Sequence, residues 1–130
     1  MASSIEVEGL HHGGMPIPSA SRRGPFVASG GISGLDRSTG ELADGIEQQL
    51  DRLFENIEAV IEAAGGSIND IVKITFGTGD QSARSLINER WISMFPDDDH
   101  RPARHIFARE LRFGMLVQAD FLAYIETTGR

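Results

Sequence analysis

The stretch MLVQADFLAYI, Met115–Ile125, decides how the rest of the chain is read. Met115, Val117, Ala119, Phe121, Ala123 and Ile125 fall on alternate positions, and all six are apolar. Side chains of a strand project to opposite faces in turn, so this alternation predicts a strand with one face pressed on a core. The opposite face carries Leu116, Gln118, Asp120, Leu122 and Tyr124. It is too apolar for free solvent and too polar for a core. A face of that kind meets another subunit or lines a cleft, so a homo-oligomer with sites near its interface is expected.

Working outward, residues 103–110 form a second strand joined to the last one by a short turn around RFG. Upstream, Ile46, Leu50, Leu53, Phe54, Ile57, Val60 and Ile61 recur at helical spacing, predicting a helix from about Gly45 to Ala64. Asp44 with Glu47 resembles a capping box, and Gly65-Gly66 is a stop signal. DIVKITFG follows as a strand, with Val72, Ile74 and Phe76 alternating against Ile71, Lys73 and Thr75. Asp80 is placed to cap a second helix whose inward positions are Leu86, Ile87, Trp91, Met94 and Phe95, ended by Pro96. PFVASGGIS reads as an earlier strand and LDRSTGEL as a turn built on Asp36, Ser38 and Gly40. Residues 1–25, punctuated by glycine and proline, should run as an extended, irregular surface segment. The order predicts an α+β fold: one mixed sheet with both helices packed on one face.

A chain of 130 residues suits a single domain spanning 1–130, large enough to bury a core without a disulfide or structural metal. It has no cysteine, which removes thiolate nucleophiles and cysteine zinc sites and fits a reducing, cytoplasmic setting. The formal net charge of −7 disfavours a nucleic-acid partner, since such a surface repels phosphate backbones unless a local basic patch overrides it. No segment approaches the ~20 apolar residues of a membrane span, so no membrane partner is expected.

Arg104, in HRPARHIFARE, is the one residue of its strand face that needs an explanation. Pro102 biases Arg101 towards an extended backbone, and Arg104 then shares a face with Ile106 and Ala108. A guanidinium on a partly apolar face needs an anionic partner. That partner is either one of the nineteen acidic side chains or a bound carboxylate, whose two oxygens match the planar fork.

SGGI at 29–32, TGEL at 39–42, QQLDRLFENIEAVIEAAGGSINDIVKITF, Asn88 in LINERW, and RPAR occur in an order and spacing that resembles the RidA (YjgF, endoribonuclease L-PSP) family. The likeness runs over nearly the whole chain from residue 26. It implies a fold similar to a small trimeric chorismate mutase, with three subunits forming a barrel and clefts between them. It also implies cofactor-independent hydrolysis of reactive enamines and imines, such as 2-aminoacrylate, to keto acids and ammonia. The family's PAR arginine holds the substrate carboxylate, a role the match places on Arg104. Ser29, Gly30, Gly31 and Ile32 would shape the cleft with backbone groups, and Asn88 would either bond substrate or cap a loop.

Two departures from the family pattern stand out. The Gly-Pro-Tyr-Ser-Gln-Ala motif is replaced here by GMPIPS, and Gln118 aligns with the glutamate that assists water attack. A neutral amide orients water but is no general base. Asp120, two residues on, projects on the same face and could supply the carboxylate. A non-catalytic binder of small carboxylates is therefore the competing expectation. Ribonuclease activity rests on the family label alone, and the acidic composition argues against it. His11 and His12 could provide an acid or base near the missing motif but read first as solvated loop residues, His105 as structural, Trp91 as core, and Asp97-Asp98-Asp99-His100 as a solvated turn; no metal site is expected.

Overall fold

A computed structural model describes residues 1–126, and its sheet converges on the strand at Val117–Tyr124. In chain order the elements are β1 (Ser3–Ile5), β2 (Ala20–Arg23), β3 (Phe26–Ser29), β4 (Ile32–Ser33), β5 (Leu35–Asp36), β6 (Glu41–Leu42) and α1 (Gly45–Ala63). A single 3-10 turn, Ile68–Asp70, leads into β7 (Ile71–Thr78), followed by α2 (Ala83–Met94), β8 (Ala103–Ala108) and β9 (Val117–Tyr124). The main sheet runs β1-β2-β3-β9-β7-β8, with β4 also pairing to β9. β9 is antiparallel to β3, β4 and β7, whereas β7 and β8 are parallel, with α2 as the crossover that parallel neighbours require.

Val117, Ala119, Phe121, Ala123 and Ile125 are buried, as their alternation predicts. They meet Leu50, Leu53, Ile57, Val60 and Ile61 of α1 in one core cluster. Phe76 links the layers, stacked on Phe54 of α1 at 5.7 Å between ring centres and edge-on to Trp91 of α2 at 6.2 Å. α1 ends where the glycine pair predicts: Gly65 has φ +96°, its N–H donates to Glu62, and the N–H of Gly66 donates to Ile61. That pairing is the Schellman motif, which the left-handed backbone of Gly65 makes possible.

Four expectations are corrected. Asp44 precedes α1, but its side chain makes no cap bond, so the capping box with Glu47 does not form. Asp80 acts one step away from the helix: its Oδ1 accepts from the N–H and the hydroxyl of Ser82, and α2 begins behind that turn. In β7 the register against β9 slips between Ile71 and Lys73, so Ile71, Ile74 and Phe76 are buried while Val72 is exposed. A bulge adds one residue and flips the alternation on one side of it. The first 25 residues are more regular than their glycines and prolines suggest, because β1 pairs with β2 and β2 with β3. Punctuation is confined to the long connection between them.

No described helix is long and apolar enough to cross a membrane.

Candidate functional site

Arg104 sits on β8, the outer strand of the sheet, laterally paired with Ile74. Lateral neighbours project to the same face, and Ile74 is buried under the helices, so Arg104 leaves the sheet on the helix side. Its guanidinium carbon lies 5.1 Å from the ring centre of Trp91 on α2, within cation–π range. The side chain is half-buried and makes no salt bridge among the described residues. Lost hydration, with the nearby charge of Arg84, lowers its pKa from the usual arginine value. Ile106 and Ala108 continue the same face and line an open cavity of about 300 Å³ with Thr78, Asp80 and Arg84. Asn88 is exposed on α2, one turn before Trp91.

A second group of candidate side chains collects on the opposite, uncovered face. The strand expected through PFVASGGIS breaks at Gly30-Gly31, between β3 and β4. Ser29 bridges the break, its Oγ accepting from the Phe121 N–H at 2.8 Å and donating to the Gly30 carbonyl at 2.9 Å. β4 resumes with Ile32 opposite Ala119 and Ser33 opposite Gln118. Gly31 leaves room for the Gln118 amide, which lies against this backbone: a Cβ would stand 2.5 Å from its Nε2. His12, half-buried, donates from Nε2 to the Gly31 carbonyl at 3.0 Å, which fixes its tautomer. Asp120 pairs laterally with Thr75 and Gln118 with Gly77, across which the Arg109 side chain lies. Lost hydration pushes the Asp120 carboxyl above its usual range, with Arg109 and Lys73 pulling it back.

Gly31, Gln118 and Asp120 are thus gathered on one face, while Ser29 shares the parity of buried Val27 and Ile32 turns its side chain into the core, so that these two offer only backbone there. Arg104 and Asn88 stand on the other side of the same sheet. A single copy of the chain does not bring the guanidinium to Gln118 or Asp120. Sequence reading left His12 as an acid or base or a solvated loop residue, without its bond to the Gly31 carbonyl, and missed Arg109. For Arg109 a signal existed, since it shares strand parity with His105 and Phe107, which are exposed and in ring contact at 4.0 Å. Trp91 is buried as expected, yet its ring also forms the floor under Arg104. In the acidic loop, Asp97 accepts from the Asp99 N–H at 3.0 Å and pairs with His100 at 2.9 Å, an exposed turn.

A family model described as Endoribonuclease L-PSP matches residues 17–125. The chain belongs to the RidA (YjgF, endoribonuclease L-PSP) family. A RutC family protein of Pyrococcus abyssi is 34% identical over 113 residues, covering 85% of this chain and 87% of that one. The 2-iminobutanoate/2-iminopropanoate deaminase of Salmonella typhimurium is 29% identical over 105 residues, covering 80% of this chain and 82% of that one. The crystal structure of RidA from an Antarctic Psychrobacter superposes with a TM-score of 0.86 at 31% identity, covering 95% of this chain and 99% of that one. The fold implied by the RidA resemblance, two helices on a mixed sheet, is the fold observed.

Proposed function

We propose that this protein hydrolyses reactive 2-imino acids and their enamine tautomers to 2-keto acids and ammonia, at sites formed between copies of the chain in a homotrimer. The observation that carries this reading is Arg104: half-buried, its guanidinium carbon 5.1 Å from the centre of the Trp91 ring, on a strand face whose next residues line an open cavity, and without a carboxylate partner among the described residues. Its fork would grip the substrate carboxylate. The edge of β8 in one copy would then face the uncovered sheet of the next, bringing Gln118 and Asp120 within reach of the substrate. Phe26, Leu122 and Tyr124, large apolar groups exposed on that uncovered sheet, support a covering copy.

The chemistry asks for no cofactor. An enamine takes a proton on carbon to become the imine, and protonation of the imine nitrogen makes its carbon electrophilic. Water oriented by the Gln118 amide adds to that carbon while Asp120 takes its proton. Asp120 suits this role because a raised pKa makes its carboxylate a stronger base than usual. Asp120 returns that proton to the amine nitrogen of the carbinolamine, the carbon–nitrogen bond breaks with loss of ammonia, and the remaining hydroxyl proton is lost to give the keto acid. Ser29 to Ile32 would shape the cleft with backbone groups, and Asn88 would border it. The name of the Salmonella relative supports this substrate class. A cytoplasmic setting, where such intermediates are released, fits the cysteine-free sequence.

The second reading, a binder of small carboxylates without turnover, is favoured by Gln118 at the family's glutamate position and by the missing tyrosine in GMPIPS. Ammonia release from freshly generated 2-aminoacrylate separates the two. Turnover above background, with kcat/KM lowered roughly 100-fold in Arg104→Ala, supports the deaminase. Calorimetric binding that depends on Arg104, with no ammonia released, assigns the binder instead.

A further inference from the structure

Arg104 is not the only cation at this edge of the sheet. Arg84, in the first turn of α2, lines the same space as Ile106 and Ala108, the two residues that continue the Arg104 face of β8. Arg84, Asn88 and Trp91 succeed one another at helical spacing, so a single stripe of α2 faces this edge of the sheet. Trp91 supports Arg104 from beneath, and Arg84 stands two turns nearer the helix start. Neither guanidinium forms a salt bridge among the described residues, in a chain with nineteen acidic side chains. The nearest acid on the cavity wall, Asp80, is occupied by the N–H and hydroxyl of Ser82. Two neighbouring like charges repel unless an anion lies between them, and lost hydration, followed by the charge of Arg84, lowers the pKa of Arg104.

We infer that Arg84 is a specificity residue that receives a second acidic group of the substrate, so that this protein prefers dicarboxylic 2-imino acids over monocarboxylic ones. The inference rests on the proposed placing of the substrate carboxylate at Arg104 and adds a partner for its far end. A cavity of about 300 Å³ lies at the small end of ligand sites and suits a short dicarboxylate. Because Arg84 is exposed, removing it leaves the core intact.

Keto acids report on the two ends of the site without requiring turnover. Calorimetry would compare 2-oxobutanoate, with one carboxylate, and 2-oxoglutarate, with two, on the wild type, Arg84→Ala, Arg84→Lys and, as a distant exposed cation, Arg23→Ala. The wild type should bind 2-oxoglutarate about tenfold more tightly than 2-oxobutanoate, a difference expected of one charge-assisted contact. Arg84→Ala should bring that ratio close to one, Arg84→Lys should restore part of it, and Arg23→Ala should keep it. A wild-type ratio near one, or a ratio that survives in Arg84→Ala, overturns the inference. Tighter binding of 3-phosphonopyruvate than of 2-oxoglutarate overturns the assignment of the second group as a carboxylate. An Arg84-dependent ratio in a protein that releases no ammonia from any imine would sink the deaminase reading and leave this one standing.

Discussion

The two faces of β9 differ in what completes them. Val117, Ala119, Phe121 and Ala123 are covered by α1 and its neighbours and are buried within a single chain's core. One residue along, Leu122 and Tyr124 are 51% and 46% exposed, Tyr124 meeting Phe26 edge-on across the strands at 5.3 Å. The covered face therefore determines whether the chain folds, and the uncovered face is where the proposed neighbouring copy would sit. Adjacent substitutions separate these roles. Phe121→Ala should cost about 3–5 kcal/mol in urea denaturation, the usual penalty for deleting a fully buried ring. Leu122→Glu should leave far more of that stability while reducing the mass seen by sedimentation, because a charge on this patch opposes a covering copy. Equal losses of stability without a change of mass would remove the distinction.

Polar groups sharpen the same comparison. Asn56 is 1% exposed in the middle of the apolar stripe of α1, and its Nδ2 donates to the carbonyls of Ser33 and Leu35, both at 2.9 Å. Through it the covered core holds the segment that follows Gly31 on the uncovered face. Asn56→Ala would leave two carbonyls without that donor, at a cost of about 2–4 kcal/mol by urea denaturation. Substrate affinity should fall with it, since β4 loses its anchor. Stability lost with affinity intact would show that the two layers are independent.

The covered layer was largely legible in the sequence, because burial imposes a period. The stripe of α1, the alternation in β9 and the glycine stop at Gly65 each follow from one local rule. Where a local rule met a competing contact it failed. Val72 obeyed the alternation until a bulge displaced it, and Asp44 had the composition of a cap without forming one. Ala20–Arg23 became a strand because β1 and β3 flank it, information that lies far away in the chain. The site was legible only in parts. Motif order brought out Arg104, Gln118 and SGGI, but parity along separate strands does not say which strands share a face. The pairing of Arg104 with Ile74, and of Gln118 with Gly77, puts them on opposite sides of one sheet. Nothing local singles out Asn56, because its partners, the carbonyls of Ser33 and Leu35, have no sequence signature.

Gly31 tests the uncovered face without disturbing the covered one. An added Cβ would meet Nε2 of Gln118 at 2.5 Å, the mobile end of a flexible side chain. The amide can swing away, so Gly31→Ala should change the denaturation midpoint little. What is lost is the placement of Gln118, and kcat/KM should fall about tenfold, the effect of a misplaced positioning group. A large loss of stability would mean that Gly31 serves folding, in which case the uncovered face is not the adaptable one.

The smallest effects are electrostatic, and they oppose each other across the molecule. Asp36 and Asp80 accept side-chain and backbone hydrogen bonds from Ser38 and Ser82, and Asp97 accepts from Asp99 and His100; all three pKa values lie below the ordinary 3.8. A carboxyl held low in the folded state adds stability that is complete above the unfolded pKa and disappears as pH falls through the folded one. Asp120 behaves in the opposite sense: its raised pKa favours the folded state below the unfolded value, and that contribution is lost as pH rises through the folded pKa. Asp80→Asn should therefore flatten the decline in urea midpoint below about pH 4, while Asp120→Asn should raise the midpoint near pH 7 relative to that near pH 4. Both shifts should be small, because exposed carboxylates are screened by water and salt. If Asp120→Asn instead lowered stability near neutral pH, its carboxylate would be bound by Arg109 and Lys73 as a structural ion pair, and water activation on the uncovered face would have to be assigned to another group.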